Sequence, residues 1–166
     1  MTIEHTKIAF IGGGNMAQAI LTGLLAAKFS PENLLVCAPS NTTREKLTEK
    51  FQVNVSDNNA SAANFAEVIF LAVKPNMIAT VADELSLALQ SNGEDKLIIS
   101  LAAGVTSEQL QGYLTGNCSI VAAMPNLPSA VRQGLTGLVA AKDCSVDGIK
   151  LADDILRCVG KTIWLD

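Results

Sequence analysis

Three consecutive glycines near the N-terminus have the spacing of a phosphate-binding turn. In KIAFIGGGNMAQAIL, Gly12, Gly13 and Gly14 follow an apolar run and precede an Ala/Leu-rich segment. In the pattern G-x-G-x-x-A, the first glycine permits a tight turn and the second lets the backbone approach a pyrophosphate, while Ala17 stands where helix and strand pack closely. The start of the following helix adds free N–H groups and partial positive charge. We predict a dinucleotide site at this turn; a glycine turn without a ligand is the alternative.

The end of the next apolar run carries hydrogen-bond donors where many dinucleotide-binding domains carry a carboxylate. In LLVCAPSNTTREK, the run is followed by Ser40, Asn41 and Arg44, and no Asp or Glu stands at the position that would bind the ribose 2′-hydroxyl of NAD. A hydroxyl, an amide and a guanidinium can instead bind a 2′-phosphate. The sequence therefore favours NADP(H), with NAD(H) as the weaker alternative. An ordinary solvated position in the first helical turn explains Arg44 equally well.

Two further strand ends carry features that a cofactor could contact. In VIFLAVKPNMI the run breaks at Lys74-Pro75, where we expect the backbone to face the ligand and the Lys74 side chain to be solvated. In SIVAAMPNLPSAVRQG, Met124, Pro125 and Asn126 begin a loop that two prolines stiffen. Such a loop could exclude water from a nicotinamide ring and bind its carboxamide, although a rigid connector is the alternative.

The elements that must position these residues alternate along the chain. Apolar runs of strand length are separated by segments of helical periodicity, which is typical of βαβ units. The predicted strands are Lys7–Ile11, Leu34–Cys37, Val53–Val55, Val68–Ala72, Leu97–Ser100, Ser119–Met124, Leu135–Ala140 and Lys161–Leu165. The predicted helices include Asn15–Lys28, one that begins at Thr42 or Thr43, Asn76–Leu89, and one after a capping box of Thr106 and Gln109. We expect an α/β fold with a doubly wound, mostly parallel sheet of about eight strands, Rossmann-like, in a single domain over residues 1–166.

Composition limits the class of function. A chain of 166 residues with 49% hydrophobic and 17% charged residues suits one α/β core. A net charge of −4 argues against a nucleic-acid partner, because binding to phosphates needs clustered Lys and Arg. The segment MTIEHTKIAF does not resemble a signal peptide, and no apolar run reaches the roughly 18 residues of a membrane span. We expect a cytoplasmic protein with no membrane partner.

The cysteines and the single histidine do not suggest metal or acid–base chemistry. Cys37, Cys118, Cys144 and Cys158 form no CxxC pair, so we expect buried, reduced thiols and no metal site. The only histidine, His5, stands in a polar N-terminal stretch where a surface position is expected. We assign no catalytic residue.

The motifs FIGGGNMAQAI, DNNAS, FLAVKP, ISLAAGV and MPNLPSAVRQG, in that order, resemble pyrroline-5-carboxylate reductase over nearly the whole chain. The resemblance implies an NADPH-dependent oxidoreductase of proline biosynthesis, which transfers a hydride to the C=N bond of 1-pyrroline-5-carboxylate and forms L-proline. By matching positions it implies pyrophosphate contacts from Ile11, Gly12, Gly13, Gly14, Asn15 and Met16, contacts to the adenosine phosphate from Ser40 and its neighbours, and an adenosine contact from Asn59. It also implies that the nicotinamide half is lined by Ala72, Val73, Lys74, Pro75, Leu101, Ala102 and Ala103.

The chain departs from the family pattern in two ways. Leu127 and Ser129 stand where the family usually has Thr and Ala, so a hydroxyl contact from the Thr position is in question. In the family, a helical second domain follows, forms homo-oligomers and supplies much of the substrate pocket, whereas this sequence ends at Asp166. We expect that domain to be absent, and the chain to bind NADP(H) but to reduce 1-pyrroline-5-carboxylate poorly or not at all. The alternatives are a non-catalytic NADP-binding module and a related reductase of the deazaflavin-dependent or β-hydroxyacid dehydrogenase type.

Overall fold

An eight-stranded sheet forms the centre of the protein in the computed structural model, which describes residues 3–92 and 94–166. The strands are β1 (Ile8–Ile11), β2 (Leu34–Cys37), β3 (Asn54–Ser56), β4 (Val68–Leu71), β5 (Lys96–Ser100), β6 (Cys118–Met124), β7 (Gly134–Ala140) and β8 (Gly160–Trp164). Their order is β3-β2-β1-β4-β5-β6-β7-β8, and every neighbouring pair is parallel except β6 and β7. The predicted doubly wound, mostly parallel α/β sheet is confirmed.

Helices cover both faces of this sheet. They are α1 (Asn15–Ala26), α2 (Asn41–Phe51), α3 (Ala60–Phe65), α4 (Ile78–Asn92), α5 (Ser107–Tyr113) and α6 (Val146–Arg157), with short 3-10 turns at Ile3–His5, Pro31–Asn33, Pro75–Met77 and Leu127–Val131. Apolar side chains of α1, α2 and α6 pack on one face, and those of α3, α4 and α5 pack on the other. Because both faces are covered, β1, β2 and β4 are apolar and buried at every position.

The topology creates a crevice beside β1. From β1 the chain moves outward through β2 and β3, then returns to place β4 on the other side of β1. In open α/β sheets, ligands bind at the carboxyl ends of the strands where the strand order reverses. The turn that follows β1 contains the three glycines, so the fold places the predicted phosphate-binding turn at this switch point.

Four predicted helix boundaries, which belong to three helices, are wrong. The second helix begins at Asn41 rather than Thr42 or Thr43, because Ser40 is the residue that caps it. The first helix ends at Ala26, and Lys28 adopts a left-handed conformation with φ 79°. Pro75 opens a 3-10 turn, so the helix predicted over Asn76–Leu89 begins at Ile78 and extends to Asn92. The strand ends differ from the predicted ones by at most one residue.

The last helix and the last strand are joined through one carboxylate. Asp153 Oδ1 accepts hydrogen bonds from Thr162 Oγ1 at 2.7 Å and Trp164 Nε1 at 2.9 Å, and Oδ2 lies 2.6 Å from Arg157 Nε. Burial alone would raise the pKa of Asp153, but the hydrogen bonds from Thr162 and Trp164 and the charge of Arg157 hold it below its ordinary value. The folded chain therefore stabilises the ionised form of Asp153.

Replacing Asp153 with alanine is expected to lower the free energy of unfolding by about 2 kcal/mol, because Thr162 and Trp164 lose their shared acceptor. The contribution of Asp153 is complete above the unfolded-state pKa of about 4 and is lost as the pH falls through its lower folded-state pKa. Urea unfolding of both proteins at neutral and successively lower pH should therefore give curves that converge. Asp154→Ala is the matched control: among the described residues the Asp154 side chain pairs with the exposed Lys150 alone, so its replacement should change stability little. Equal stability of wild type and Asp153→Ala at neutral pH would contradict the expected role.

The remaining sequence predictions concern single residues and the membrane. All four cysteines are free, but only Cys37 is fully buried and the other three are half-buried, because each of those lies near the end of a strand or helix. His5 is exposed, as expected. Within the part of the chain that the structure describes, no helix combines the length and apolarity that crossing a membrane requires.

Candidate functional site

Gly12 begins the turn after β1 and is enclosed by backbone on both sides. Its φ of +100° belongs to the region that favours glycine. Its N–H donates to the carbonyl oxygen of Cys37 at 2.9 Å, while the N–H of Ala72 donates to the carbonyl oxygen of Ile11 at 2.8 Å. A Cβ on Gly12 would overlap the carbonyl oxygen of Ala72. The turn is therefore held between the ends of β2 and β4, and only glycine fits there.

Gly14 faces open space in front of α1. It is the N-cap of this helix, with φ −76° and ψ −170°, and no side chain caps the first turn. A Cβ added to Gly14 would have no atom of the described chain within 4 Å. The N–H groups of Asn15 and Met16 in the first helical turn are thus available to a ligand. This combination of open space and free N–H groups is suited to an anion such as a pyrophosphate.

Two other positions of the glycine pattern hold the turn in place. A Cβ on Gly13 would come within 2.8 Å of Leu47 Cδ1, so α2 packs closely behind the turn. The carbonyl oxygen of Gly13 accepts a hydrogen bond from Gln18 Nε2 at 2.9 Å. Ala17 is only 1% exposed and packs in the core below the turn. The burial of Ala17 fits the packing role predicted for it, and the contacts of Gly13 with Leu47 and Gln18 hold the turn against α2 and α1.

The loop between β2 and α2 is held together by its own polar side chains. Ser40 Oγ accepts a hydrogen bond from the N–H of Thr43 at 3.3 Å. Arg44 reaches back along the loop and donates from Nη1 to the carbonyl oxygens of Ala38 at 2.8 Å and Pro39 at 2.9 Å. Arg44 is therefore not an ordinary solvated residue: its charge is fixed beside Ser40. The loop presents a cation and a hydroxyl at the carboxyl end of β2.

A cavity of about 400 Å³ lies between the glycine turn, α3 and α4. Its walls include Gly12, Pro39, Asn59, Val73 and Glu84. Asn59 Nδ2 donates to Glu84 Oε2 at 2.6 Å across this space. The cavity adjoins the β2–α2 loop, where the 2′-phosphate is predicted to bind, and the glycine turn, where the pyrophosphate is predicted to bind. An adenosine joined to both phosphate groups would therefore lie in this cavity.

Cys37 lines the same cavity. Burial raises the pKa of its thiol to about 11, and a backbone hydrogen bond at Ala62 offsets only part of that effect. The thiol therefore stays protonated at neutral pH and acts as a small apolar group in the wall. Its Sγ donates to the carbonyl oxygen of Asn58 at 3.6 Å, which ties β2 to the turn before α3.

The ends of β4, β5 and β6 continue the same edge of the sheet. Ala72 and Val73 are half-buried and Pro75 is exposed, and the side chain of Lys74 is exposed, as predicted. Leu101 and Ala102, which follow β5, are half-buried, and the next residue, Ala103, is exposed. Because β4, β5 and β6 are parallel, these residues stand side by side with Met124 and Pro125. The structure therefore brings the residues predicted for the nicotinamide half together.

Asn126 already makes one hydrogen bond within the protein. Its Oδ1 accepts a hydrogen bond from the N–H of Leu135 at 2.9 Å, which fixes the loop after β6 to the start of β7. Its NH₂ group and the second lone pair of Oδ1 remain for a ligand, so Asn126 can bind either the oxygen or the NH₂ group of a carboxamide. Beyond Asn126 the 3-10 turn packs against α1, where a Cβ on Gly23 would overlap the carbonyl oxygen of Ser129. The loop is therefore rigid, as its two prolines predict.

The face of the sheet next to this loop is apolar and exposed. Met124 on β6, Leu135 on β7 and Ile163 on β8 lie on the same side, with Leu165 after them. They are 55%, 45%, 48% and 45% exposed, respectively. Leu127, the residue that departs from the family pattern, is 60% exposed nearby. No hydroxyl stands at that position to contact a ligand.

The nicotinamide half is suited to binding rather than to proton transfer. Of the residues predicted to line it, Lys74 is the titratable one, and it is exposed. Residues 3–92 and 94–166 contain no group of three or more His, Cys, Asp or Glu residues that could hold a metal ion. The arrangement of these residues could hold and shield a flat ring.

Comparison with known proteins gives the family. Residues 7–104 match the profile of the family described as NADP oxidoreductase coenzyme F420-dependent. The chain belongs to this family. A pyrroline-5-carboxylate reductase from Haemophilus influenzae is 43% identical over 164 residues, which are 99% of this chain and 59% of that protein. The chain thus spans about three fifths of the length of the curated relatives that it matches.

Solved structures agree with the sequence relatives. A pyrroline-5-carboxylate reductase from Coxiella burnetii has a TM-score of 0.88 at 41% identity, covering 98% of this chain and 59% of that one. A Plasmodium falciparum pyrroline carboxylate reductase with NADP bound has a TM-score of 0.84 at 28% identity, covering 99% of this chain and 59% of that one. The resemblance to pyrroline-5-carboxylate reductase that the motifs indicated is confirmed.

The sequence did not predict the charged side chain that hydrogen-bonds to Asn59 in the candidate site. Glu84 lies in the wall of the cavity and bonds to Asn59. In the sequence it stands within an amphipathic helix at a position that predicts a solvated surface residue. The one available signal is its place two turns after Met77, on the helix face that also carries Thr80 and Val81 and lines the cavity.

Proposed function

We propose that this chain binds NADP(H) along the carboxyl edge of the sheet and forms the cofactor-holding part of a pyrroline-5-carboxylate reductase. The observation that carries the proposal is the open space in front of Gly14 at the uncapped start of α1, at the point where the strand order reverses. Similarity to pyrroline-5-carboxylate reductases over 99% of the chain supports the same proposal. The family description alone would fit the related-reductase alternative as well.

Each part of NADP(H) has a matching place along the edge. The adenosine enters the cavity beside Asn59, and the 2′-phosphate lies against Ser40, Asn41 and Arg44. The pyrophosphate is held by the turn from Ile11 to Met16. The nicotinamide is placed against Ala72, Val73, Lys74, Pro75, Leu101, Ala102, Ala103, Met124, Pro125 and Asn126. The fixed charge of Arg44 favours NADP(H) over NAD(H), which lacks the 2′-phosphate.

The chemistry that NADPH supplies when bound is a hydride for the imine carbon of 1-pyrroline-5-carboxylate, whose nitrogen takes a proton from water, giving L-proline and NADP⁺. The residues of the chain hold the ring so that donor and acceptor carbons come to about 3–3.5 Å. The apolar side chains at the ends of β5 and β6 exclude water from one side of the ring. Near the nicotinamide half, Lys142 lines a pocket with Ala103 and Met124, but Glu108 and Asp166 line the same pocket and would repel a substrate carboxylate. We therefore expect the 166-residue chain to bind the cofactor more readily than it reduces the imine.

Location and assembly belong to the same proposal. Four free cysteines suit a reducing compartment, which supports a cytoplasmic location. The exposed apolar residues Met124, Leu135, Ile163 and Leu165 suit burial against further polypeptide, as in a homo-oligomer.

A calorimetric titration of the purified chain with NADPH, and in parallel with NADH, tests the proposal. We expect NADPH to bind at least about tenfold more tightly than NADH, the effect of one charge-assisted contact to the 2′-phosphate. Addition of 1-pyrroline-5-carboxylate to the same sample, with NADPH absorbance followed, then tests for reduction. Binding of neither nucleotide would overturn the assignment. Measurable imine reduction would exclude a non-catalytic NADP-binding module, and oxidation of a β-hydroxyacid with NADP⁺ would favour the related reductases.

A further inference from the structure

We propose that Glu84 is a positioning residue, which orients the side-chain amide of Asn59 so that its carbonyl oxygen is offered to the adenosine. The inference rests on the proposed binding of NADP(H). It assigns a role to a side chain that does not itself need to touch the cofactor. It also predicts that the ligand group bound by Asn59 is a hydrogen-bond donor.

The chemistry of the contact fixes the orientation of the amide. A carboxylate can only accept hydrogen bonds, so the group that Asn59 turns toward Glu84 must be its NH₂. Nδ2 lies 2.6 Å from Glu84 Oε2, which is a short, charge-assisted hydrogen bond. The bond joins the residue that precedes α3 to the middle of α4. Glu84 thereby determines which end of the amide remains for a ligand.

Asn59 is free for this role because its neighbour caps the helix. Asn58 Oδ1 accepts the N–H of Ala60 at 3.0 Å, and the carbonyl oxygen of Asn58 accepts the N–H of Ser61 at 3.0 Å. Asn59 has helical dihedrals of φ −63° and ψ −28°, and its side chain makes no cap hydrogen bond. The turn therefore does not need the side chain of Asn59. Among the described residues, no hydrogen-bond donor reaches its Oδ1, and Asn59 lines the cavity.

A free amide oxygen selects a donor, and the surrounding charges exclude an anion. Asp57 and Glu84 both line the cavity, so a phosphate there would meet two carboxylates. A ribose hydroxyl and the exocyclic amino group of adenine are the donors that an adenosine offers. We infer that the cavity takes the uncharged nucleoside, whereas the 2′-phosphate is directed outward to Ser40 and Arg44.

Binding of NADPH and of 2′,5′-ADP to three variants tests this role. Glu84→Ala removes the acceptor, and we expect both ligands to bind about tenfold more weakly, because the amide is no longer held in one orientation. Glu84→Gln keeps an oxygen that can accept from Asn59 Nδ2, so it should restore affinity to within about twofold of wild type. Asp83→Ala is the matched control: it removes an exposed carboxylate from the adjacent position of α4 and should change neither affinity. The thermal unfolding midpoint of each variant shows whether the fold is intact.

The outcomes separate this inference from the proposed function. If wild type binds neither ligand, the proposed function fails. If wild type binds both and Glu84→Ala binds them equally well, Glu84 does not position Asn59. If Glu84→Gln is as weak as Glu84→Ala, the charge of Glu84 matters rather than its hydrogen bond, and the inference is overturned. A merely structural role would lower the unfolding midpoint of Glu84→Ala in step with its affinity, which also overturns it.

Discussion

Replacing Gly14 with alanine is expected to weaken NADPH binding by about 100-fold while leaving the protein folded. In the free protein a methyl group at this position contacts nothing, and φ −76° with ψ −170° is open to alanine. The same methyl group fills the space through which a pyrophosphate must approach the N–H groups of Asn15 and Met16. The loss of one or two charge-assisted hydrogen bonds accounts for a change of this size. The weaker N-cap preference of alanine should lower the thermal unfolding midpoint by no more than about 2 °C.

Calorimetric titration and thermal unfolding of Gly14→Ala, beside one control, measure both effects. Gly112→Ala is the control, because its added methyl group also meets open space but lies on α5, outside the glycine turn. Its NADPH affinity should equal that of wild type. Wild-type affinity in Gly14→Ala would show that the pyrophosphate does not lie over this residue, and the site would then have to be placed elsewhere on the edge.

The fold could be predicted because local and tertiary signals agree along most of the chain. Strands such as β1 and β4 are apolar at every position since both faces of the sheet are covered, and the helices between them carry ordinary periodicity. The boundaries that failed depend on side-chain contacts. Ser40 could have been a loop residue or a cap, and only the hydrogen bond to Thr43 decides between them. Likewise, Pro75 permits either a helix start or a 3-10 turn.

The candidate site could be predicted as a set of strand ends but not as a set of contacts. Parallel strands bring their carboxyl ends to one edge, so the sequence neighbours of Gly12, Lys74 and Asn126 were expected to meet there. Hydrogen bonds that cross between elements do not follow from spacing. Asn126 Oδ1 is taken by the N–H of Leu135 because β7 returns antiparallel to β6. Arg44 donates to two carbonyl oxygens of its own loop, so its charge is fixed in place rather than free to follow a ligand.

Replacing Gly12 with alanine is expected to damage the fold itself and to lower the free energy of unfolding by about 3 kcal/mol. Two costs combine: alanine is strained at φ +100°, and its Cβ overlaps the carbonyl oxygen of Ala72. Neither Gly12 nor the carbonyl group of Ala72 can move away without breaking a hydrogen bond. A shift of Gly12 breaks its hydrogen bond to Cys37 and separates β1 from β2. A shift of Ala72 breaks its hydrogen bond to Ile11 and separates β1 from β4.

Urea unfolding of Gly12→Ala and Gly14→Ala, followed by circular dichroism, distinguishes the two glycines. We expect Gly12→Ala to unfold at much lower urea, and Gly14→Ala to follow the wild-type curve closely. At a concentration that saturates wild type but lies below the weakened Kd of Gly14→Ala, NADPH should raise the midpoint of wild type and not that of Gly14→Ala, because a ligand stabilises only a folded state that binds it. Wild-type stability in Gly12→Ala would mean that the turn can adopt another conformation, and the separation of structural and ligand-binding roles between Gly12 and Gly14 would then be wrong. Loss of stability in Gly12→Ala together with loss of binding alone in Gly14→Ala would assign the first glycine to the fold and the second to the phosphates.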